Sequence, residues 1–232
     1  MELLLVRHAE PAWMGPDGGV NDPGLTERGR RQARALAAVV TSRVEANPRG
    51  DTQIWVSPAQ RSVETAAPVA SALGIAPQVR PWLLEAATPD FTGMDPETLG
   101  KVWQIARRRD LAEWWQGFPE QEDLRTFTAR VAAGLEADLA ALGATRAPEA
   151  SAGLWQRVPR SGRLIIISHA GTTGALIAEL LGLPAVPWPW ERFPTGHASI
   201  TPLRTTALAG GVLFALHTLG DVAHLPPEDH TR

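Results

Sequence analysis

Two short apolar runs of this sequence each end abruptly on a histidine. Residues 3–10 read LLLVRHAE, and the run LIIIS at 164–168 is followed directly by His169. Each run is rich in leucine or β-branched residues and precedes a helix-like segment, which predicts a buried parallel strand. Ligands of open α/β sheets bind at the carboxyl ends of such strands. Arg7, His8 and His169 therefore predict a site for an anion, and in particular for a phosphoryl group.

Strands and helices alternate in the first half of the chain. Apolar residues at helical spacing follow Thr26, which has the residue type of an N-cap. Ser57–Pro58 is interpreted as a second cap followed by a proline at the first helical position, and Gly74 as the end of that helix. The predicted elements here are a helix over about 26–46, a strand over 53–57 and a helix that ends at Gly74.

The second half of the chain begins with helices and ends with strands. The predicted elements are helices over 95–116 and 121–142, a surface loop over 143–163, strands over 197–204 and 212–220, and a flexible tail over about 225–232. This order predicts an α/β fold, a three-layer sandwich with a mostly parallel central sheet flanked by helices. A helical, cap-like excursion over about 92–142 follows the third strand, and the whole chain, 1–232, forms a single domain.

Composition narrows the class of protein. The 232 residues are 44% apolar and 20% charged, enough for one large α/β domain with a full core. The absence of cysteine excludes a disulfide framework, a thiolate zinc site and a cysteine nucleophile. A net charge of −3 gives no support for nucleic-acid binding. No segment has the pattern of a signal peptide or the ~20 apolar residues of a membrane span, so we expect a soluble protein of the cytoplasm. The oligomeric state stays open.

The residues at the predicted sheet edge have the chemistry of phosphoryl transfer. His8 is the candidate nucleophile, because a neutral imidazole, with an ordinary pKa of about 6.5, attacks phosphorus through a free nitrogen. Arg7, Arg61 and His169 are candidates to surround the phosphoryl oxygens and to hold the charge that spreads over them in the transition state. Arg61 follows Ser57–Pro58 by one helical turn, at a helix end whose dipole also favours an anion.

An alkoxide leaving group needs a proton, and Glu85 is the candidate donor. Burial or a neighbouring phosphate would have to raise its pKa from about 4.3 for the carboxyl group to stay protonated. Taken singly, each of these residues has an ordinary structural interpretation, but their order and positions together favour a site. Asp22 and Glu27 have no companion histidine at ligand spacing, so the sequence does not indicate a metal site.

The same segments resemble the histidine phosphatase superfamily, whose members have the phosphoglycerate-mutase-like fold. The segments that carry the resemblance are LLLVRHAE at 3–10, DPGLTERGRRQA at 22–33, SPAQRSVETA at 57–66, Glu85, SHAG at 168–171 and HASIT at 197–201. The resemblance implies that His8 becomes phosphorylated and that Glu85 donates the proton. It also makes Arg7, Arg61 and His169 the phosphate pocket, and it implies neither a metal nor an organic cofactor.

Three parts of the sequence depart from the family pattern. Many members carry an asparagine in the phosphate pocket where this chain has Met14, and Asn21 is a candidate to supply the missing amide. The stretch from Ala87 to Gly93 replaces a glycine and Trp-Glu-Gly string of many phosphatases. His197 stands where a small polar residue is common, and it is a second candidate for the substrate site.

Two further clusters have weaker functional interpretations. The run Arg107–Arg108–Arg109 is compatible with an acidic substrate, but a charge run is more often a solvated helix face. Trp103, Trp114 and Trp115 are compatible with a roof over the site, but packing between helices is the commoner use of such residues.

The sequence thus predicts a phosphomonoesterase for a small phosphorylated metabolite, acting through a covalent phosphohistidine without a metal. The first alternative is a phosphoglycerate-type phosphomutase; the sequence LLEAATP at 83–89 lacks the arginine and tyrosine that follow the glutamate in the resembling mutases. The second alternative is a non-catalytic phospho-ligand binding protein. The pair of histidines and both arginines argue against that reading.

Overall fold

The apolar run at the start of the chain is a central strand of a large sheet. The computed structural model describes residues 1–48, 50–148, 153–159, 162–208 and 210–232. In it the run forms β1, Glu2–Arg7, and only Arg7 of this strand is not fully buried. A strand with four consecutive buried apolar residues, here Leu3 to Val6, must be covered on both faces. The strand pattern alone therefore requires helices on both sides of the sheet.

The described strands form one large sheet and one short hairpin. The remaining strands are β2 Met14–Gly15, β3 Gly18–Gly19, β4 Thr52–Val56, β5 Gln78–Val79, β6 Thr145–Arg146, β7 Trp155–Arg157, β8 Arg163–Ser168, β9 Ile200–Leu208 and β10 Gly211–Leu216. Among the described residues the large sheet has the order β5-β4-β8-β1-β9-β10-β7-β6. The pairings from β5 to β1 are parallel, and those from β1 to β6 are antiparallel. The parallel half contains β1 and β8, the two strands whose carboxyl ends are followed by His8 and His169.

Helices cover both faces of the sheet. They are α1 Glu27–Ala46, α2 Gln60–Leu73, α3 Pro96–Arg107, α4 Leu124–Ala141, α5 Ala170–Leu181 and the short α6 Pro189–Arg192. The Thr26 hydroxyl caps α1 by accepting a hydrogen bond from the Gly29 amide at 2.9 Å. Gly74 ends α2 in the left-handed conformation, φ 67°, which glycine adopts without a steric cost. Both of these predicted helix boundaries are confirmed.

Side chains of β1 alternate between two separate cores. Leu4 and Val6 pack with residues of α1 and α2, whereas Leu3 and Leu5 pack with residues of α4 and α5. This alternation follows from the period of two in a β-strand. The predicted α/β sandwich, with a central sheet between two helical layers, is confirmed.

Several predicted elements differ from the structure. The sheet is mixed, because the strands after α5 and the edge strands β6 and β7 add antiparallel pairs. The prediction of a surface loop over 143–163 is wrong at those two edge strands, while residues 149–152 and 160–161 lie outside the described part. The predicted helix over 95–116 ends at Arg107, because the chain turns back there and Arg109 donates to the carbonyl oxygens of Gln116 and Gly117.

The two helices of the predicted excursion, α3 and α4, lie in different parts of the fold. Residues of α4 such as Phe127, Val131 and Leu135 are fully buried in the core beneath the sheet. That helix therefore belongs to the sandwich itself, whereas α3 contributes Leu99, Trp103 and Ala106 to the cavity described below. No helix in the described ranges combines the length and apolar character needed to cross a membrane.

The C-terminal segment is packed, in contrast to the flexible tail expected from about residue 225. Leu225 and Asp229 are buried. The Gln32 amide donates to the Asp229 carbonyl at 2.7 Å, and Arg31 forms an ion pair with the Asp229 carboxylate, also at 2.7 Å. These contacts bridge nearly the whole chain, so no local sequence signal could have indicated them.

Glu2 is the first residue of β1, so it lies at the opposite end of the strands from the two histidines. It is fully buried. It accepts hydrogen bonds from Arg163, Arg43 and Arg204 at 2.6, 3.0 and 3.1 Å. Burial opposes the charge, but the three guanidinium groups outweigh it and lower the pKa of Glu2 to about 2. Glu2 therefore stabilises the fold in its ionised form.

Glu2→Gln should lower the free energy of unfolding at neutral pH by about 3–5 kcal/mol, because it leaves three arginines without their anion. The folded-state pKa is depressed, so the contribution is complete above the ordinary pKa near 4.5 and is lost as pH falls toward 2. Urea unfolding of both proteins across this range checks the prediction. The difference in stability should shrink with acid; a difference that stays constant would contradict the proposed linkage.

Candidate active site

The parallel strands bring two histidines and a serine to one sheet edge. His8 follows β1, His169 follows β8 and Ser57 follows β4, and all three residues are buried. The ring centres of His8 and His169 are 5.1 Å apart. Ser57 Oγ lies 2.8 Å from His169 Nε2. Parallel register therefore converts three separate strand ends into one cluster.

The surroundings of His8 fix its protonation. Its Nδ1 lies 2.8 Å from the carbonyl oxygen of Ala9. A carbonyl only accepts, so Nδ1 carries the hydrogen, and a neutral ring then has its lone pair on Nε2. Burial, with the charges of His169, Arg61 and Arg7, holds the pKa of His8 well below its ordinary value. His8 is therefore neutral at physiological pH, with a free nitrogen suited to nucleophilic attack.

Arg7 and Arg61 place two cations beside this ring. Arg61 is 7% exposed and is the second residue of α2; its guanidinium carbon lies 4.9 Å from the centre of the Trp13 ring. The Nε atoms of both arginines, and Nδ1 of His169, are buried without a hydrogen-bond partner in the described part of the chain. Burial lowers the pKa of Arg7 to about 10, which still leaves it charged. The two arginines are cations with unpaired buried donors, and a bound anion would satisfy them.

His197 contacts Arg7, and its ring centre lies 5.5 Å from that of His8, but it is not among the residues that line the cavity. Its Nε2 is 3.2 Å from Arg7 Nη2, and its Nδ1 is 2.9 Å from the Thr231 hydroxyl. An arginine only donates, so Nε2 accepts and Nδ1 carries the hydrogen. Burial and the charge of Arg7 lower the pKa of His197 to about 3. His197 is therefore placed to orient Arg7. Thr231, in the C-terminal segment, holds the His197 ring in turn.

Glu85 is held at the N-terminus of α5. Its two oxygens accept hydrogen bonds from the amides of Gly171 and Thr172 at 2.8 and 3.0 Å. Burial raises the pKa of Glu85, and the hydrogen bonds from Gly171 and Ala86 oppose this effect in part. A carboxyl group with a raised pKa is suited to donate a proton near neutral pH.

These side chains face one cavity of about 460 Å3. Arg7, His8, Arg61, Glu85 and His169 all line it, so the structure brings the five principal candidates together.

Asn21 also lines the cavity, but both ends of its amide are occupied by contacts to Asp90 and to the Phe91 amide. Met14 is 40% exposed and is not among the residues that line this cavity. Asn21 therefore lies at the cavity, and its amide is used to hold the loop that contains Asp90 and Phe91.

The aromatic and arginine clusters divide between the cavity and other surfaces. Trp103 lines the cavity, whereas Trp115 packs against the core and Trp114 is partly exposed. Arg107 and Arg109 border the cavity, although each is already engaged, Arg107 with Glu191 at 2.8 Å. The interpretation of the tryptophans as core packing is therefore confirmed for Trp115, whereas Trp103 lines the cavity.

Two site residues escaped the sequence reasoning. The Ser57 side chain contacts His169 and does not serve as the N-cap of α2, a position that Ala59 occupies. Its place at the end of a parallel strand was the available signal. Trp13 lies against Arg61, and nothing in its local sequence indicates that contact.

Comparison with known proteins agrees with this arrangement. The family model "Histidine phosphatase superfamily (branch 1)" matches residues 3–213. The chain belongs to the histidine phosphatase superfamily. Within the described residues, no group of three or more histidine, aspartate or glutamate side chains is arranged to hold a metal ion.

Relatives in the superfamily include both mutase-named and phosphatase-named proteins. The "Probable phosphoglycerate mutase GpmB" of Enterobacter sp. (strain 638) is 26% identical over 97% of this chain and 95% of its own length. "Phosphoserine phosphatase 1" of Hydrogenobacter thermophilus is 27% identical over 79% of this chain and 77% of its own. A mycobacterial glucosyl-3-phosphoglycerate phosphatase, solved with inorganic phosphate, is 25% identical with a TM-score of 0.66, covering 97% of this chain and 99% of that one. Membership of the superfamily is therefore compatible with phosphatase and mutase chemistry.

Proposed function

We propose that this protein is a phosphomonoester hydrolase that acts through a phosphohistidine at His8. The observation that carries the proposal is the neutral ring of His8, whose Nε2 faces a cavity with other unpaired polar atoms. Among the described residues, the buried Nε atoms of Arg7 and Arg61 and the buried Nδ1 of His169 lack hydrogen-bond partners. The phosphatase-named relatives add support for hydrolysis of a small phosphate ester.

In the first step, Nε2 of His8 attacks phosphorus in line with the leaving oxygen. The N–P bond forms as the P–O bond to the alcohol breaks, and Glu85 gives its proton to the departing oxygen. Arg7, Arg61 and His169 stabilise the charge on the three remaining phosphoryl oxygens. The Ala9 carbonyl accepts from Nδ1 and so favours the positive ring that forms.

In the second step, water attacks the phosphohistidine. The Glu85 carboxylate takes a proton from the water, the N–P bond breaks, and inorganic phosphate leaves with His8 neutral again. In both of these reaction steps, protein side chains supply all the charge stabilisation. Turnover is therefore expected to persist in excess EDTA.

The phosphomutase alternative is supported by the similarity to the protein named as a mutase. The deciding experiment measures release of inorganic phosphate over sugar phosphates, nucleotides, phospholipid precursors and phosphopeptides, in parallel with conversion of phosphoglycerate isomers. We expect phosphate release. Isomer conversion without release would favour a mutase, and binding with neither reaction would favour a phospho-ligand binding protein.

Glu85→Gln should impair alkyl phosphates strongly and spare p-nitrophenyl phosphate. An alkoxide leaves only if it is protonated, whereas p-nitrophenolate leaves readily without a proton. We expect a loss of roughly a hundredfold or more on an alkyl ester and a small change on the aryl ester, measured as kcat/KM.

Glu45→Gln is the matched control for Glu85. Glu45 lies near the C-terminal end of α1, is exposed, and is not among the residues that line the cavity. The control should retain activity on both esters. Equal losses on the two esters in Glu85→Gln would instead assign Glu85 to binding or structure.

A further inference from the structure

The cavity around His8 is larger than a phosphoryl group requires. Its volume of about 460 Å3 lies in the range of pockets that enclose most of a drug-sized molecule. The space beyond the phosphate pocket must therefore accommodate the group attached to the phosphate. The residues that line this space indicate its chemistry.

Aromatic rings dominate that part of the cavity. The rings among the described residues that line it are Trp13, Phe91, Trp103, Phe118, Trp188 and Trp190. Trp103 meets Phe118 edge to face at 5.3 Å between ring centres, and Trp188 meets Trp190 at 5.0 Å. We call these two pairs the aromatic wall. Rings held in this way favour flat apolar groups over hydrated ones.

Local backbone structure places both ring pairs of the aromatic wall at the cavity. Leu99, Trp103 and Ala106 line the cavity at helical spacing along α3, so that helix presents one apolar face to it. Trp188 adopts the left-handed conformation, with φ 57°, which is uncommon for an aromatic residue. Such a conformation persists only where the surrounding structure requires it.

The aromatic wall begins beside the proposed proton donor. A Cβ added at Gly171 would lie 2.8 Å from Cε3 of Trp190 and would also meet the Glu85 carboxylate. The Trp190 ring and Glu85 thus lie against the same residue. The first atoms of the leaving group would therefore contact an aromatic surface.

Several of the polar groups that line the cavity near the wall are engaged in other contacts. Arg107 pairs with Glu191, and Arg109 donates to two backbone carbonyl oxygens. The amide of Asn21 is occupied at both ends. Arg232 also borders the cavity, but it is exposed to water, where a single ion pair contributes little. Thr88 and Gln116 add two further polar side chains, against six aromatic rings. A leaving group rich in hydroxyls would therefore exchange most of its hydration for aromatic surface, with few polar partners in return.

We propose that the substrate is the phosphate monoester of an alcohol with a bulky aromatic or polycyclic apolar body. The inference rests on the proposed phosphatase function, because it assigns the cavity beyond the phosphate pocket to the leaving group. Phosphate is held at His8, and the apolar body lies against the aromatic wall. Sugar phosphates and phosphorylated sugar acids are poor substrates for the same reason.

The test compares naphthylethyl phosphate with glycerol phosphate and 3-phosphoglycerate, which are all monoesters of primary alcohols. We expect kcat/KM for naphthylethyl phosphate to exceed the other two by at least roughly thirtyfold. Trp103→Ala should lose about tenfold on naphthylethyl phosphate alone, and Trp103→Phe should restore most of it. Ile105→Ala is the control on the same helix, since Ile105 is 67% exposed and should affect none of the substrates.

Binding of the matching phosphonates by calorimetry separates the two proposals. If no monoester releases phosphate, the proposed function fails, and the preference for the naphthyl phosphonate still tests the substrate class. If phosphate is released but the polar esters match or exceed naphthylethyl phosphate, the substrate class is wrong and the phosphatase function stands. An equal loss on all three esters in Trp103→Ala would likewise overturn the role of the wall.

Discussion

His8→Ala should abolish turnover and the covalent adduct together. The substitution removes the only atom proposed to bond to phosphorus, and the buried arginines cannot replace a nucleophile. We expect kcat to fall at least roughly ten-thousandfold, the scale seen when a catalytic nucleophile is deleted. Quenching at neutral pH with labelled substrate should trap an alkali-stable, acid-labile adduct in the wild type alone.

His217→Ala is the matched control, because His217 is exposed and is not among the residues that line the cavity. It should keep both turnover and the adduct. Thermal unfolding should show that His8→Ala remains folded, since the described hydrogen bond of this ring is only to the adjacent Ala9 carbonyl. Label retained in His8→Ala would place the phosphoryl group on another residue.

Arg61→Ala should reduce the chemical step by at least roughly a hundredfold, the scale of removing one electrostatic stabiliser of the transition state. The charge on the phosphoryl oxygens is greatest there, so kcat should fall more than KM rises. Arg61→Lys should recover only part of the rate, because an ammonium group lacks the paired donors of the guanidinium that lies over the Trp13 ring. Single-turnover kinetics of adduct formation measure the step directly.

Arg34→Ala provides the surface control for Arg61. Arg34 lies on α1, its side chain is 62% exposed, and its ion pair with Glu27 is 3.8 Å long. Its loss should leave both kcat and stability nearly unchanged. Near-normal single-turnover rates in Arg61→Ala would remove Arg61 from the phosphate pocket.

The positions of His8, His169 and Arg61 could be predicted because they depend on local patterns. An apolar run followed by a helical segment indicates a buried parallel strand, and parallel strands bring their carboxyl ends to one edge. The structure places both histidines there with ring centres 5.1 Å apart. Arg61 enters the same cavity because α2 begins just after a parallel strand.

The partners of these residues could not be predicted in the same way. Ser57 was interpreted as a helix cap, yet its hydroxyl contacts His169, which is 112 positions away in the chain. His197 is a candidate for the substrate site, and its described contacts are with Arg7 and with Thr231, 34 positions away in the chain. A hydroxyl or an imidazole serves many partners, so its residue type alone does not select one.

The sequence by itself determined the α/β sandwich, the sheet edge that carries the site, and the residues proposed for the chemistry. Strand and helix periodicities are local properties of the chain, and they decide which side chains reach that edge. Only the tertiary structure decided the packing of the C-terminal segment, the orientation of Arg7 and the aromatic wall of the cavity. These features depend on contacts between segments far apart in the chain, such as Gln32 with Asp229 and Arg7 with His197. Such contacts are set by the packing of whole layers, which no local pattern of residues encodes.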